Sequence, residues 1–274
     1  MDNKFGVIQG RLLPKYEGRY QAHPKGYWED EFEIAKNLGM DCIEFILDYN
    51  DANQNPLLNN GELKKLQSII SKTGVLVKTI CADYFMESPL HSEDQEIATN
   101  SMNVLKRLLV SAEILGVSDI VIPCVDNSSL VNPDAVNRFV GQINKVEREI
   151  EERNINLSLE TDLNPEQFSN LLKRFNSRRI TVNYDIGNSA SLGFDPIEEL
   201  NAYGEKITDI HIKDRILGGG PVVLGKGDAN FALFFEKLKE FNYKGPFIMQ
   251  AYRDEEGVST FKEQLDWVKT YLDC

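Results

Sequence analysis

Glu160 in SLETD, Asp185 in YDIGN, His211 in DIHIKD and Gln250 in FIMQ each end, or nearly end, a short run rich in Val, Ile, Leu and Phe. A polar residue in such a place is costly to bury unless something pairs with it. Two carboxylates, one imidazole and one amide oxygen form a donor set that suits one divalent cation, with Mn²⁺, Mg²⁺, Co²⁺ and Zn²⁺ all tolerated. Singly, each residue also has an ordinary role: Glu160 as a buried acid paired to a lysine, Asp185 as a turn cap, His211 as a core histidine, Gln250 as a packed amide. Their shared position at the ends of four successive runs sets them apart.

The elements that must position them repeat along the chain. Eight runs of strand length recur: 5–8, 41–46, 75–81, 119–124, 155–160, 180–185, 207–213 and 245–250. Between them lie helix signals. Trp28, Phe32, Ala35 and Leu38 have helical spacing behind an acidic first turn and before Gly39. Met102 to Leu115 repeats the pattern before Gly116, and Val136, Val140, Ile143, Val146 and Ile150 extend it before the fifth run. Asn164-Pro165 and Asp195-Pro196 pair a capping residue with proline at the first helical position. The last helix is expected from about Ser259. Eight strand–helix units predict an α/β fold, a single-domain (β/α)₈ barrel over residues 1–274. A doubly wound open sheet is the alternative, but no GxGxxG follows the first run.

In such a barrel the site lies at the carboxyl ends of the strands. The residues expected there are Gln9, Glu44, Cys81, Cys124, Glu160, Asp185, His211 and Gln250. Candidate substrate contacts are Glu44, Cys81, Asn188, Arg215 and Lys226. Gly218-Gly219-Gly220 and Gly225-Lys226-Gly227 form a glycine-rich loop after the seventh run, either a phosphate wrap or a plain surface loop. Residues 18–28, GRYQAHPKGYW, read as a lid over the barrel mouth or as a long loop.

Composition removes several classes. The chain has 274 residues and a net charge of −13, from 43 acids and 30 bases. Nucleic-acid affinity rests on Lys and Arg neutralising phosphates, so nucleic acid is not an expected partner. There are three histidines and four cysteines, with no CxxC spacing. That speaks against a disulfide scaffold and a zinc ribbon. No apolar stretch reaches membrane-spanning length and no leader opens the chain, so a cytoplasmic protein without membrane partners is expected.

With these strand ends in view, the chain resembles the xylose isomerase-like TIM barrels, the superfamily of sugar and sugar-phosphate isomerases and epimerases that also includes endonuclease IV. The resemblance is strongest over LSLETD, YDIGNSASLG, ITDIHIKDR and GPVVLGKGDANFALFFEKLKEFNYKGPFIMQAYR. The opening GVIQGRL and WEDEFEIAKNLGMDCIEFILD resemble a subgroup of sugar-phosphate isomerases. The resemblance implies one divalent ion held by Glu160, Asp185, His211 and the residue at 250, a sugar or sugar-phosphate substrate, and a dimer or tetramer.

Position 250 departs from the family, where glutamate is usual and doubles as an acid/base group. Gln250 offers a neutral carbonyl to a metal but accepts no proton at neutral pH. Inverting a carbon beside a carbonyl needs two proton-transfer groups, whereas aldose–ketose isomerisation runs with one. With Glu160 as base, this favours isomerisation unless Glu44, Asp83 or a water supplies the second proton. A dehydratase or lyase on the same site, and a sugar-binding protein impaired by Gln250, are the other readings. A multi-zinc nuclease needs more histidines than this chain has.

Overall fold

Residues 3–253 and 258–272 are described in a computed structural model of the chain; Cys274 lies outside them. Eight parallel strands close into a barrel: β1 (Phe5–Ile8), β2 (Cys42–Ile46), β3 (Leu76–Cys81), β4 (Asp119–Cys124), β5 (Asn156–Thr161), β6 (Ile180–Asp185), β7 (Ile207–Ile212) and β8 (Phe247–Met249). Closure is made by β1 on β8, with Phe5 opposite Phe247. The open-sheet alternative is excluded, and the fold is a (β/α)₈ TIM barrel with flanking helices.

The strands read as apolar runs because both faces are covered. One face packs on the helices. Side chains of the other, among them Ile8, Cys42, Ile46, Cys81, Val121 and Ile248, form a separate buried cluster. Helix starts follow the capping chemistry: Asn164 and Gln167 make a capping box around Pro165, and the Asp195 carboxylate accepts from the N–H groups of Ile197 and Glu198. The first helix, Asp30–Asn37, begins just after Trp28, and the last spans Val258–Lys269.

The Val136–Ile150 stretch is two helices rather than one, Pro133–Ile143 and Glu147–Arg153. Lys145 and Val146 donate to the carbonyls three residues back, which tightens the chain at the break. That rephasing keeps Val146 and Ile150 fully buried.

Residues 18–28 dock on the mouth through Gly10. This glycine sits at φ +90°, and a Cβ there would lie 2.1 Å from the Tyr20 carbonyl oxygen. Gly10→Ala should therefore cost roughly 1–3 kcal/mol, read as a lower melting temperature; an unchanged melt would show that the close approach is dispensable.

Candidate active site

Asp185, the last residue of β6, pairs in register with His211 on β7, and Glu160 is the penultimate residue of β5. Gln250 follows β8, where its N–H donates to the Ile212 carbonyl at 3.0 Å. Their ends therefore meet at one rim of the barrel. One ligand atom each from Glu160, Asp185 and His211 lies within 4.8 Å of the others. The Gln250 side chain is buried; its Nε2 donates to Gln21 Oε1 at 2.7 Å, and its Oε1 has no hydrogen-bond partner among the described residues. A buried carbonyl without a partner is a group that calls for a donor or a cation. Three convergent ligands with this orphaned oxygen fit a divalent ion.

The electrostatics divide the two carboxylates. Burial, reinforced by the Asp185 charge, pushes the Glu160 carboxyl up to about 7. Asp185 goes the other way, to about 2: burial opposes ionisation, but Lys213 and His211 outweigh it. Lys213 Nζ lies 3.2 Å from Asp185 Oδ2. Two neighbouring carboxyls pushed apart in this way suit one to carrying a proton and the other to staying charged.

His211 is oriented from below. Its Nε2 faces Glu44 Oε1 at 2.8 Å, and its Nδ1 points towards Asp185 Oδ2 at 3.9 Å. Burial alone would strip the imidazole of its extra proton, but Glu44, helped by Asp185, raises its pKa well above the usual value. An Nε2–H held by Glu44 leaves Nδ1 as the nitrogen presented to an ion, the carboxylate–histidine support common at metal sites.

Glu44 thus differs from its expected place. It stands two residues inside the end of β2, between the lumen-facing Cys42 and Ile46. It is fully buried and does not line the cavity at the rim. Its second oxygen accepts from Thr79 Oγ1 at 2.8 Å. Burial and the Glu44 charge hold the neighbouring Asp209 carboxyl well above the ordinary range, which favours its protonated form.

Above these groups is a cavity of about 280 Å³, lined in part by Gln21, Asp83, Glu160, Asn188, Arg215 and Gln250. Cys81 is not among its lining; its thiol is buried against Asp83 at 3.1 Å, and burial raises its pKa well above normal, which disfavours a thiolate. Lys226 is exposed on its loop and also stands outside the lining.

The Gly225-Lys226-Gly227 part of the glycine-rich loop already wraps an anion. The buried Asp214 carboxylate accepts from the N–H groups of Gly225 and Gly227, each at 2.9 Å, and of Ala229 at 3.2 Å. The anion this loop cradles is its own side chain. Residues 18–28 do reach over the site, since Gln21 bridges Gln250 and Asp83 (Nε2 to Asp83 Oδ2, 3.2 Å).

Asn188 is the hub of the rim. Its Oδ1 accepts from Lys213 at 3.1 Å and Arg215 at 2.8 Å, which directs its Nδ2 to Glu160 Oε1 at 2.6 Å. Lys213 is not among the residues singled out by the sequence pattern. Its signal is its phase: it follows His211 by two residues and so shares its face. Gly187 leaves room for it, since a Cβ there would meet Lys213 Cγ at 2.7 Å.

Residues 32–271 match the family described as xylose isomerase-like TIM barrel. The chain belongs to that family. L-ribulose-5-phosphate 3-epimerase UlaE from Escherichia coli O1:K1 / APEC is 26% identical over 265 residues, covering 92% of this chain and 93% of the relative. Among solved structures, the 3-keto-D-glucoside 4-epimerase YcjR from E. coli is similar, with a TM-score of 0.76 and 18% identity over 98% of this chain and 100% of that one. A xylose isomerase-like TIM barrel protein from Mycobacterium smegmatis, solved in complex with magnesium, gives a TM-score of 0.72 at 16% identity, covering 99% and 97%. The first two are epimerases, enzymes of the isomerase class. No helix among the described residues is long and apolar enough to cross a membrane.

Proposed function

We propose that this protein is a metal-dependent epimerase or isomerase of a sugar or sugar phosphate, moving a proton on a carbon next to a carbonyl, with Glu160 as the base. The observation that carries this reading is the convergence of Glu160, Asp185 and His211 at the rim where Gln250, its side-chain oxygen without a partner among the described residues, shares a cavity lining with Glu160. These four residues would hold one divalent ion, Mn²⁺, Mg²⁺, Co²⁺ or Zn²⁺. When bound, the ion supplies Lewis acidity to the substrate's carbonyl and neighbouring hydroxyl oxygens.

The residues then have separate tasks. Glu160 takes the proton. Its Oε1 is held by Asn188 Nδ2, which leaves Oε2 for the substrate C–H. Asp185 remains charged and does not compete for that proton. Arg215, on the cavity wall, holds the substrate's far hydroxyls or phosphate. Asn188, anchored by two cations, keeps base and wall in register.

The test is an assay of L-ribulose 5-phosphate, with L-ribulose beside it, in D₂O with each of the four metals and after chelation. Solvent deuterium should appear beside the carbonyl only with metal. Loss of water from the sugar without exchange would instead favour the lyase reading. Gln250→Glu should bind Mn²⁺ roughly tenfold or more tightly, because ligand charge sets affinity. Unchanged Mn²⁺ affinity by calorimetry would remove position 250 from the ligand set.

A further inference from the structure

We infer that Asp83 is the second acid/base group of this site, so that the chain inverts a carbon although Gln250 carries no proton. This deepens the proposed function and rests on it. Inversion needs a proton removed from one face of the carbon and another delivered to the opposite face. The amide of Gln250 does neither.

The cavity offers few other candidates. Lys213 is paired with Asp185. Asp162 follows Glu160 by two residues on the same stretch of chain and accepts from Ser129 Oγ at 2.7 Å. Asp126 is exposed to bulk solvent. Asp83, just past β3, lines the same cavity as Glu160 and makes no ion pair among the described residues. It stands two strands from the β5 of Glu160, and one side-chain amide, that of Gln21, connects it to Gln250 beyond β8.

Its carboxyl is also placed and poised. Cys81 Sγ contacts Oδ1 at 3.1 Å and Gln21 Nε2 contacts Oδ2 at 3.2 Å, which fixes the group without neutralising it. Burial holds it above the ordinary aspartate range, with Asp48 and Glu44 adding to the effect against the two hydrogen bonds. That shift is towards the protonated form, the one a proton donor needs.

The chemistry balances. Glu160 carboxylate takes the C–H proton, and the electron pair of that bond moves into the adjacent carbonyl as an enediolate. The protonated Asp83 then gives its proton to the same carbon from the other face, and the carbonyl re-forms. Glu160 ends protonated and Asp83 ionised; water in the cavity exchanges the two back. In the reverse direction the roles are swapped.

The experiment follows deuterium and configuration together, with L-ribulose 5-phosphate and metal-loaded protein in D₂O. Asp83→Asn should lose epimer formation by roughly 10³-fold, while deuterium still enters the recovered substrate with its configuration kept. A purely structural role for Asp83 would lower both signals together. Asp83→Ala with added formate should regain part of the inversion, which guards against a folding defect in a single variant. Inversion by Asp83→Asn within tenfold of the parent protein, or parallel loss of exchange and inversion with no formate rescue, overturns the inference. If the parent protein neither exchanges nor inverts, the proposed function itself fails, and the inference falls with it.

Discussion

Glu160→Gln is expected to lower metal-dependent deuterium exchange by 10³-fold or more. General-base catalysis alone is worth about 10²–10⁴, and this substitution also withdraws one charged metal ligand. The amide keeps the shape of the side chain, so the cavity should persist and sugar binding should fall less than turnover does. A second readout comes from stability. In the metal-free protein Glu160 titrates at about 7 rather than 4.5. An acid whose folded-state pKa is raised binds its proton more tightly when folded, so this residue costs stability as pH rises through that interval. The glutamine variant should thus melt above the parent at pH 8 without metal, and the advantage should vanish towards pH 4.5. Exchange within tenfold of the parent at saturating Mn²⁺ would remove Glu160 as the base.

Glu44→Ala should be the most damaging change away from the cavity. It leaves the buried His211 without the carboxylate at 2.8 Å from its Nε2. Breaking a buried charged pair from one side costs about 3–5 kcal/mol. It also frees the imidazole to rotate, and loss of such support lowers metal affinity by about 10–100-fold. Glu44→Gln keeps an acceptor at the same place and should be milder on both counts. Mn²⁺ titration and thermal melting of the two variants check this ordering. An alanine variant that binds Mn²⁺ as tightly as the parent would show that His211 is oriented by its other neighbours.

The barrel was legible because its signals are local and repeated. Val, Ile and Phe runs mark β1 to β8 to within a residue or two, and Asn164-Pro165 and Asp195-Pro196 mark their helices through side-chain caps. The rim residues on β5 to β8 were legible for the same reason, as polar groups where apolar ones belong. The placement of Glu44 was not, because composition does not say where in DCIEFI the rim lies. Alternation within β2 decides it, and puts Glu44 in the lumen with Cys42 and Ile46. Nor was the internal anion legible: the N–H groups of Gly225 and Gly227 are taken by Asp214 of the same segment, which spacing alone does not reveal. Gln21 carries no pattern at all: its contact with Gln250 spans 229 residues and exists only once the barrel is closed.

That closure also sets a timetable. Bringing residues about 240 apart together costs about 5 kcal/mol of chain entropy, which nothing local offsets until β8 docks between β1 and β7. On the ribosome, chains lengthen at about 5–20 residues per second, so roughly 2–8 s separate His211 from Gln250. During that time Glu160, Asp185 and His211 on β5, β6 and β7 exist without Gln250 beside them. The last barrel strand to arrive brings Gln250 to the rim and fastens Gln21 across the mouth in the same event. The rim is therefore incomplete in any nascent chain that ends before β8, so barrel closure and completion of the site are one event.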